Sequence, residues 1–125
     1  MGKFKSFEEI NSWQKSRLFN KQIYEITNSG SEFKKDFDLV RQIRKASISI
    51  SSNIAEGFER NTDKEFIYFL YIAKASAAEV RSQLYLAFDL NYITKTEFDE
   101  LFNNISDISK LISGFIKYLQ SSQKS

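Results

Sequence analysis

An all-α fold is what this sequence predicts, in the form of an antiparallel up-down-up-down four-helix bundle occupying residues 1–125 as one domain. Three observations predict it. The 125 residues contain no proline, so no locked dihedral or missing backbone donor interrupts any long segment. Ser or Thr stands three residues ahead of Glu at Ser6/Glu9, Thr62/Glu65 and Thr94/Glu97, where a hydroxyl and a carboxylate can satisfy the free N–H groups of a first helical turn. Apolar residues then recur by threes and fours over windows too long for strands.

The first helix is expected over about residues 6–27, starting from the Ser6 cap, with Ile10, Trp13, Ile23 and Tyr24 on one broad side and Leu18, Phe19 and Ile26 toward the other. The turn cluster Asn28-Ser29-Gly30-Ser31 closes it. The second helix, about 35–56, carries Phe37, Val40, Ile43, Ser47, Ile50 and Ile54 at helical spacing. Its middle, SISISSNIAEG from Ser47 to Gly57, alternates polar and apolar residues at first, as a half-buried strand would. The longer window nevertheless fits a period of about 3.6, and Gly57 falls where a left-handed C-terminal cap belongs.

The third helix, about 62–90, is built on Phe66, Phe69, Ala73, Ala77, Val80, Leu84 and Ala87. Only Asn91-Tyr92-Ile93 separates it from the Thr94 cap, a link short enough to make the third and fourth helices antiparallel neighbours. The fourth, about 94–120, has an apolar seam in Phe98, Leu101, Ile105, Ile108, Ile112, Phe115 and Leu119, and the tail from Gln120 to Ser125 is expected to fray. Small residues crowd the middles of the second helix (Ala46 to Ala55) and the third (Ala73 to Ala78), which predicts a close crossing of those two.

Composition narrows the chemistry. With 42% hydrophobic and 27% charged residues the chain is ordinary globular material. Its apolar runs are too short for a membrane span or a signal peptide, so a cytoplasmic protein is expected. There is no cysteine and no histidine, which removes the usual nucleophile–base pairs and the common zinc and di-iron ligand sets. No catalytic residue, metal ligand or cofactor site is expected, and the protein reads as a non-enzyme. Ser-x-x-Lys recurs at Ser12/Lys15, Ser31/Lys34 and Ser121/Lys124, as chance allows in a chain rich in both residues. The Met1-Gly2…Ser6 acylation pattern is discounted because Ser6 serves as a cap, and the Asn104-Ile105-Ser106 sequon because it lies within a helix.

Twelve Phe, six Tyr and one Trp are many for so small a core. Leftover stripes, such as Ile67, Tyr71 and Tyr85, suggest self-association. The charge is nearly balanced, 18 basic against 16 acidic residues. Even so, Arg41, Arg44 and Lys45 form a positive patch with no acid between Asp38 and Glu56, Arg60 and Lys64 follow past the next turn, and Lys74 and Arg81 lie seven apart on the third helix. These seven are the candidate nucleic-acid contacts, since clustered cations neutralise phosphates. A solvated helix face is the competing reading.

The run QIRKASISISSNIAEG from Gln42 to Gly57, with Lys64-Glu65-Phe66 and FLYIAKASAAEVRSQL from Phe69 to Leu84, resembles the bacterial four-helix-bundle family of 23S rRNA-intervening-sequence proteins. Trp13-Gln14-Lys15 and Asp89 to Ile93 extend the likeness over most of the chain. Ser51 departs from it, standing where the family pattern often carries a proline that would bend the second helix. The resemblance implies a self-assembling bundle, with five-fold rings among relatives. It also implies a link to a branch that serves diversity-generating retroelements as an accessory binding nucleic acid, RNA or DNA, and the reverse transcriptase. A protein-interaction scaffold with no nucleic-acid ligand is the alternative. Glu79 and Gln83 match polar positions of the family, and Glu79, one step before Val80, is expected to be partly buried and paired with Arg44 or Arg41 in a polar network.

Overall fold

A computed structural model describes residues 4–29 and 31–124. Met1 and Gly2 of the acylation pattern, and Gly30 of the turn cluster, lie outside them. Among the described residues there is a 3-10 turn, Phe7–Glu9, then α1 (Asn11–Ser29), α2 (Ser31–Lys35), α3 (Phe37–Phe58), α4 (Asp63–Asp89) and α5 (Lys95–Lys124), and no strand. The four long helices touch chiefly as α1–α3, α3–α4, α4–α5 and α1–α5. That pattern closes a ring in which the α1/α3 side lies opposite the α4/α5 side.

The contacts show how neighbours run. Asn20 meets Ser47 and Ser51 while Thr27 meets Arg44, so α1 and α3 are antiparallel. Ser76 donates to Ser49 at 2.9 Å, and Gly57 lies against Phe69, which gives the same sense to α3 and α4. Phe66 on Phe115 and Tyr85 on Phe102 do so for α4 and α5. The expected close crossing of the small-residue stretches is therefore present at the Ser49–Ser76 hydrogen bond. Ile23, Ile43, Ile50, Ile54, Leu70, Leu84 and Ile105 are fully buried where the helices meet, each such side chain stabilising the fold by about 1.5–3 kcal/mol.

Two of the three expected caps form. At α5, Glu97 N–H donates to Thr94 Oγ1 (3.1 Å) and Thr94 N–H to Glu97 Oε1 (2.8 Å), a complete reciprocal pair. At α4, Thr62 Oγ1 accepts from Glu65 N–H at 3.1 Å. Ser6 makes no side-chain cap. Its segment gives one 3-10 turn and then Ile10 turns extended, 2% exposed, so the first long helix starts at Asn11 and not at Ser6. Burying Ile10 wins over continuing the helix. α3 likewise starts later than expected, at Phe37, because Asp36 caps it by accepting from Leu39 N–H. At the other end α5 continues through the expected frayed tail to Lys124.

SISISSNIAEG lies wholly inside α3. Gly57 is not its left-handed cap: no described glycine has positive φ, and Gly57 is buried within the helix against Phe66 and Phe69. The left-handed residue is Asn91 (φ 62°), after α4. Its N–H donates to Phe88 O and that of Tyr92 to Ala87 O, both at 2.9 Å, the paired bonds of a Schellman ending. Ser51, at the departure from the family pattern, donates to Ile48 O at 3.1 Å and accepts from Asn20 Nδ2 at 3.0 Å. A proline there could make neither bond. Phe19 also differs from expectation, lying at 1% exposure in the core beside Ile23, while Leu18 and Tyr24 face outward.

Tyr92 ties the α4–α5 link back to the start of α3, its hydroxyl donating to Asp36 Oδ2 at 2.9 Å and its ring stacked on buried Phe33 at 5.2 Å. That hydrogen bond, then desolvation and the charges of Asp36 and Glu32, raise the phenol pKa. The fold thus prefers the neutral phenol. Its contribution is complete below the unfolded pKa of about 10 and is lost as pH climbs through the raised folded value. Wild-type protein is expected to lose stability above about pH 10 faster than Tyr92→Phe. Urea midpoints of both proteins across neutral and alkaline pH check this, and identical alkaline slopes would count against it.

Candidate nucleic-acid interface

The ring of helices leaves a groove between α1 and α3. Tyr24 of α1 and Phe37, Val40 and Ile48 of α3 give it an apolar floor, and Arg41, Arg44 and Lys45 line it with positive charge. Helix geometry explains the assembly. Phe37, Arg41, Arg44 and Ile48 follow one another at steps of three and four on α3, so they share a face. That face turns toward the outer side of α1, where Tyr24 lies four residues after Asn20.

Each cation is held differently. The Arg44 guanidinium sits 4.3 Å from the centroid of the Tyr24 ring, and its Nε donates to Thr27 Oγ1 at 2.9 Å. Such stacking stabilises by about 0.5–1 kcal/mol at an exposed site. It fixes the guanidinium on the rim, and no ion pair among the described residues engages it. Arg41 pairs with Asp38 at 3.1 Å, but both side chains are largely exposed, so the pair holds it weakly. Lys45 is exposed and outside any ion pair among the described residues. Phe37, expected in the core seam, is 76% exposed at the mouth of the groove. It is the first residue of α3, ahead of the point where the helix meets α1 and α4.

The remaining candidates do not join this cluster. Arg60 follows α3, pairs with Glu56 at 3.2 Å and lies over Phe69 at 4.6 Å. Lys64 is exposed in the first turn of α4, and Lys74 is exposed farther along it. Arg81 lies half-buried in a different groove, between α4 and α5. Tyr24 and Phe37 were not among the candidates. The signal that could have found Tyr24 was its place on the outward side of the first helix; for Phe37 it was its position at a helix start.

The expected network of Glu79, Gln83 and Arg44 is not formed. Glu79 is exposed and accepts a long bond, 3.4 Å, from Gln83 Nε2, while Arg44 is engaged on α1. The step before a seam position on α4 points outward, and Arg44 occupies the side of α3 away from α4. Gln83 Oε1 is buried without a partner among the described residues. No group of three or more acidic residues that could hold a metal ion occurs among the described residues, and no helix there is long and apolar enough to cross a membrane.

Residues 8–114 match the family model of the 23S rRNA-intervening sequence protein. The chain belongs to that family. Within the 23S rRNA-intervening sequence family, the groove residues on α1 and α3 all fall inside the matched span. The fold is similar to a crystal structure of a protein of unknown function from the S23 ribosomal protein family of Bacteroides thetaiotaomicron. The two chains are 29% identical with a TM-score of 0.77, over 85% of this chain and 98% of that one. No curated protein matches this family member.

Proposed function

We propose that the protein is a non-catalytic, self-associating accessory that binds single-stranded nucleic acid, in the cytoplasm, through the α1/α3 groove, alone or together with an enzyme acting on that strand. The observation that carries this reading is the interleaving of Arg41, Arg44 and Lys45 with the exposed rings of Phe37 and Tyr24. Cations that track phosphates beside rings that stack on bases are what single strands require. The family's description points to rRNA, which makes RNA the first ligand to try. The absence of histidine and cysteine supports a binding role over a catalytic one.

Self-association is supported by the outer side of α4, where Tyr68, Tyr71 and Leu86 are 63%, 47% and 47% exposed. A second copy is the partner that such a repeated face suits. Filter binding of single-stranded RNA and DNA over a salt series tests the proposal, with light scattering of the same sample. Wild-type protein is expected to bind at low salt and to scatter as more than the 14.6 kDa monomer. Arg41→Glu with Lys45→Glu should weaken binding by about tenfold or more and flatten the salt dependence by about 0.7 per lost phosphate contact. Failure of the wild-type protein to bind at low salt would leave the family member as an interaction scaffold.

A further inference from the structure

On the opposite side of the ring, an open second groove runs along α5, lined by Arg81 of α4 and by α5 residues that include Ser106, Lys110, Ser113, Gly114 and Lys117. No carboxylate lines it. Whereas Arg41, Arg60 and Lys95 are each paired with a neighbouring acid, Arg81, Lys110 and Lys117 have no ion-pair partner among the described residues. These three line the groove, Arg81 half-buried and both lysines exposed, and no carboxylate among the described residues pairs with them. The sequence singled out Arg81, with Lys74 two turns before it, but neither lysine of α5.

The order of residues along α5 is informative. Ser106, Lys110, Ser113 and Lys117 follow at steps of four, three and four, so hydroxyl and ammonium alternate at each turn, about 5.4 Å apart along the axis. A single small anion would need the cations converging on one point. A linear polyanion lying along the helix meets them in succession. Gly114 adds an independent observation: in a helix interior glycine is less favourable than alanine, and here a Cβ would meet nothing within 4 Å. Packing does not require this glycine. What it does is leave bare backbone at the open side of the groove, where a ligand chain can approach closely.

The geometry points to a second phosphodiester track in the α4/α5 groove, so that one molecule holds two nucleic-acid strands at once, on opposite faces of the bundle. This rests on the nucleic-acid reading of the α1/α3 groove. The two tracks differ in chemistry. The first offers exposed rings for bases; the second has one half-buried ring, Phe102, packed on Tyr85 and Phe98, and is otherwise lined by polar groups and cations that contact the backbone and carry no sequence information. Holding two strands on one small body raises the effective concentration of each for the other.

The test uses the full chain and two non-complementary oligouridines, one carrying a donor dye and one an acceptor, with energy transfer reporting strands brought together. Wild-type protein should bind either strand and produce transfer. Lys110→Gln with Lys117→Gln should still bind a single strand through the first groove but saturate at about half as many strands per protomer as wild type, with a matching fall in the transfer signal. Gly114→Leu, which fills the second groove without touching a charge, should lose transfer in the same way while its helical melting temperature does not fall. Transfer undiminished in both variants would overturn the second track and assign bridging to first grooves on associated copies. Wild-type protein that binds one strand without transfer would also overturn it, leaving the first groove standing. If wild-type protein binds no strand at low salt, both readings fall.

Discussion

Replacing Phe66 by alanine is expected to cost about 3–5 kcal/mol of folding stability. The ring is 2% exposed and lies edge-on to Phe58 at 6.0 Å and to Phe115 at 5.2 Å. Phe115 in turn packs against Phe4 at 5.9 Å and Tyr118 at 6.4 Å. One side chain thereby joins the end of α3, the start of α4, the latter half of α5 and the segment ahead of α1. Truncation removes apolar area and leaves a void, and neighbours fixed on three helices cannot close in to fill it. Against a total of about 5–15 kcal/mol for a domain of ordinary stability, the loss is large. Urea denaturation should show a much lower midpoint with little change in slope. A loss under about 1 kcal/mol would mean that the aromatic cluster is not close-packed.

Gly57→Ala should destabilise the fold by about 1–3 kcal/mol, the reverse of what helix propensity alone predicts. A Cβ there would lie 2.7 Å from Phe69 Cβ and 2.8 Å from Phe66 Cδ1. The first of these neighbours is anchored to the α4 backbone, so the helices would have to separate. Gly114→Ala is the control: with nothing within 4 Å, it should stabilise by up to about 1 kcal/mol. On a Phe66→Ala background the Gly57→Ala cost should shrink, because part of the clash has been removed, and a double-mutant cycle measures that coupling. A neutral or stabilising Gly57→Ala would contradict the close α3–α4 crossing.

Where the sequence was legible, local chemistry and the tertiary fold asked for the same thing. Thr94/Glu97 reads as a helix start and is one, because nothing else competes for those groups. Ser47 to Ile50 alternate like a strand, but the longer period prevails because the whole helix packs between α1 and α4. The misreadings occur where a long-range contact outweighs a local preference. Ser6/Glu9 has the pattern of a cap, yet Ile10 is drawn into the core and breaks the helix after one turn. Gly57 has the chemistry of a helix end, and its smallness is used for a close approach, while the left-handed residue is Asn91.

The candidate interface was legible in its charges and illegible in its rings. Arg41, Arg44 and Lys45 are adjacent in sequence, so their cluster needs no fold. Tyr24 joins them only because α1 and α3 pack, a contact that no spacing within one helix reveals. Phe37 was misplaced because periodicity does not say where along a helix burial begins. Glu79 failed for a related reason: one residue's step along a helix rotates a side chain by about 100 degrees, enough to change core for solvent.

Asn20 has a consequence for the uniqueness of the fold. Its Oδ1 accepts from Ser47 at 2.7 Å and its Nδ2 donates to Ser51 at 3.0 Å. Apolar seams tolerate sliding, since one isoleucine meets another much as well as the first. If α1 slipped by one turn against α3, Asn20 would keep at most one of the two serines, its other amide atom would face Ile54 or Ile43, and the abandoned serine would lose its partner on α1. Each orphaned buried group costs about 1–3 kcal/mol. This short polar contact therefore acts as a register key, ruling out the near-miss bundles that the hydrophobic pattern alone would accept.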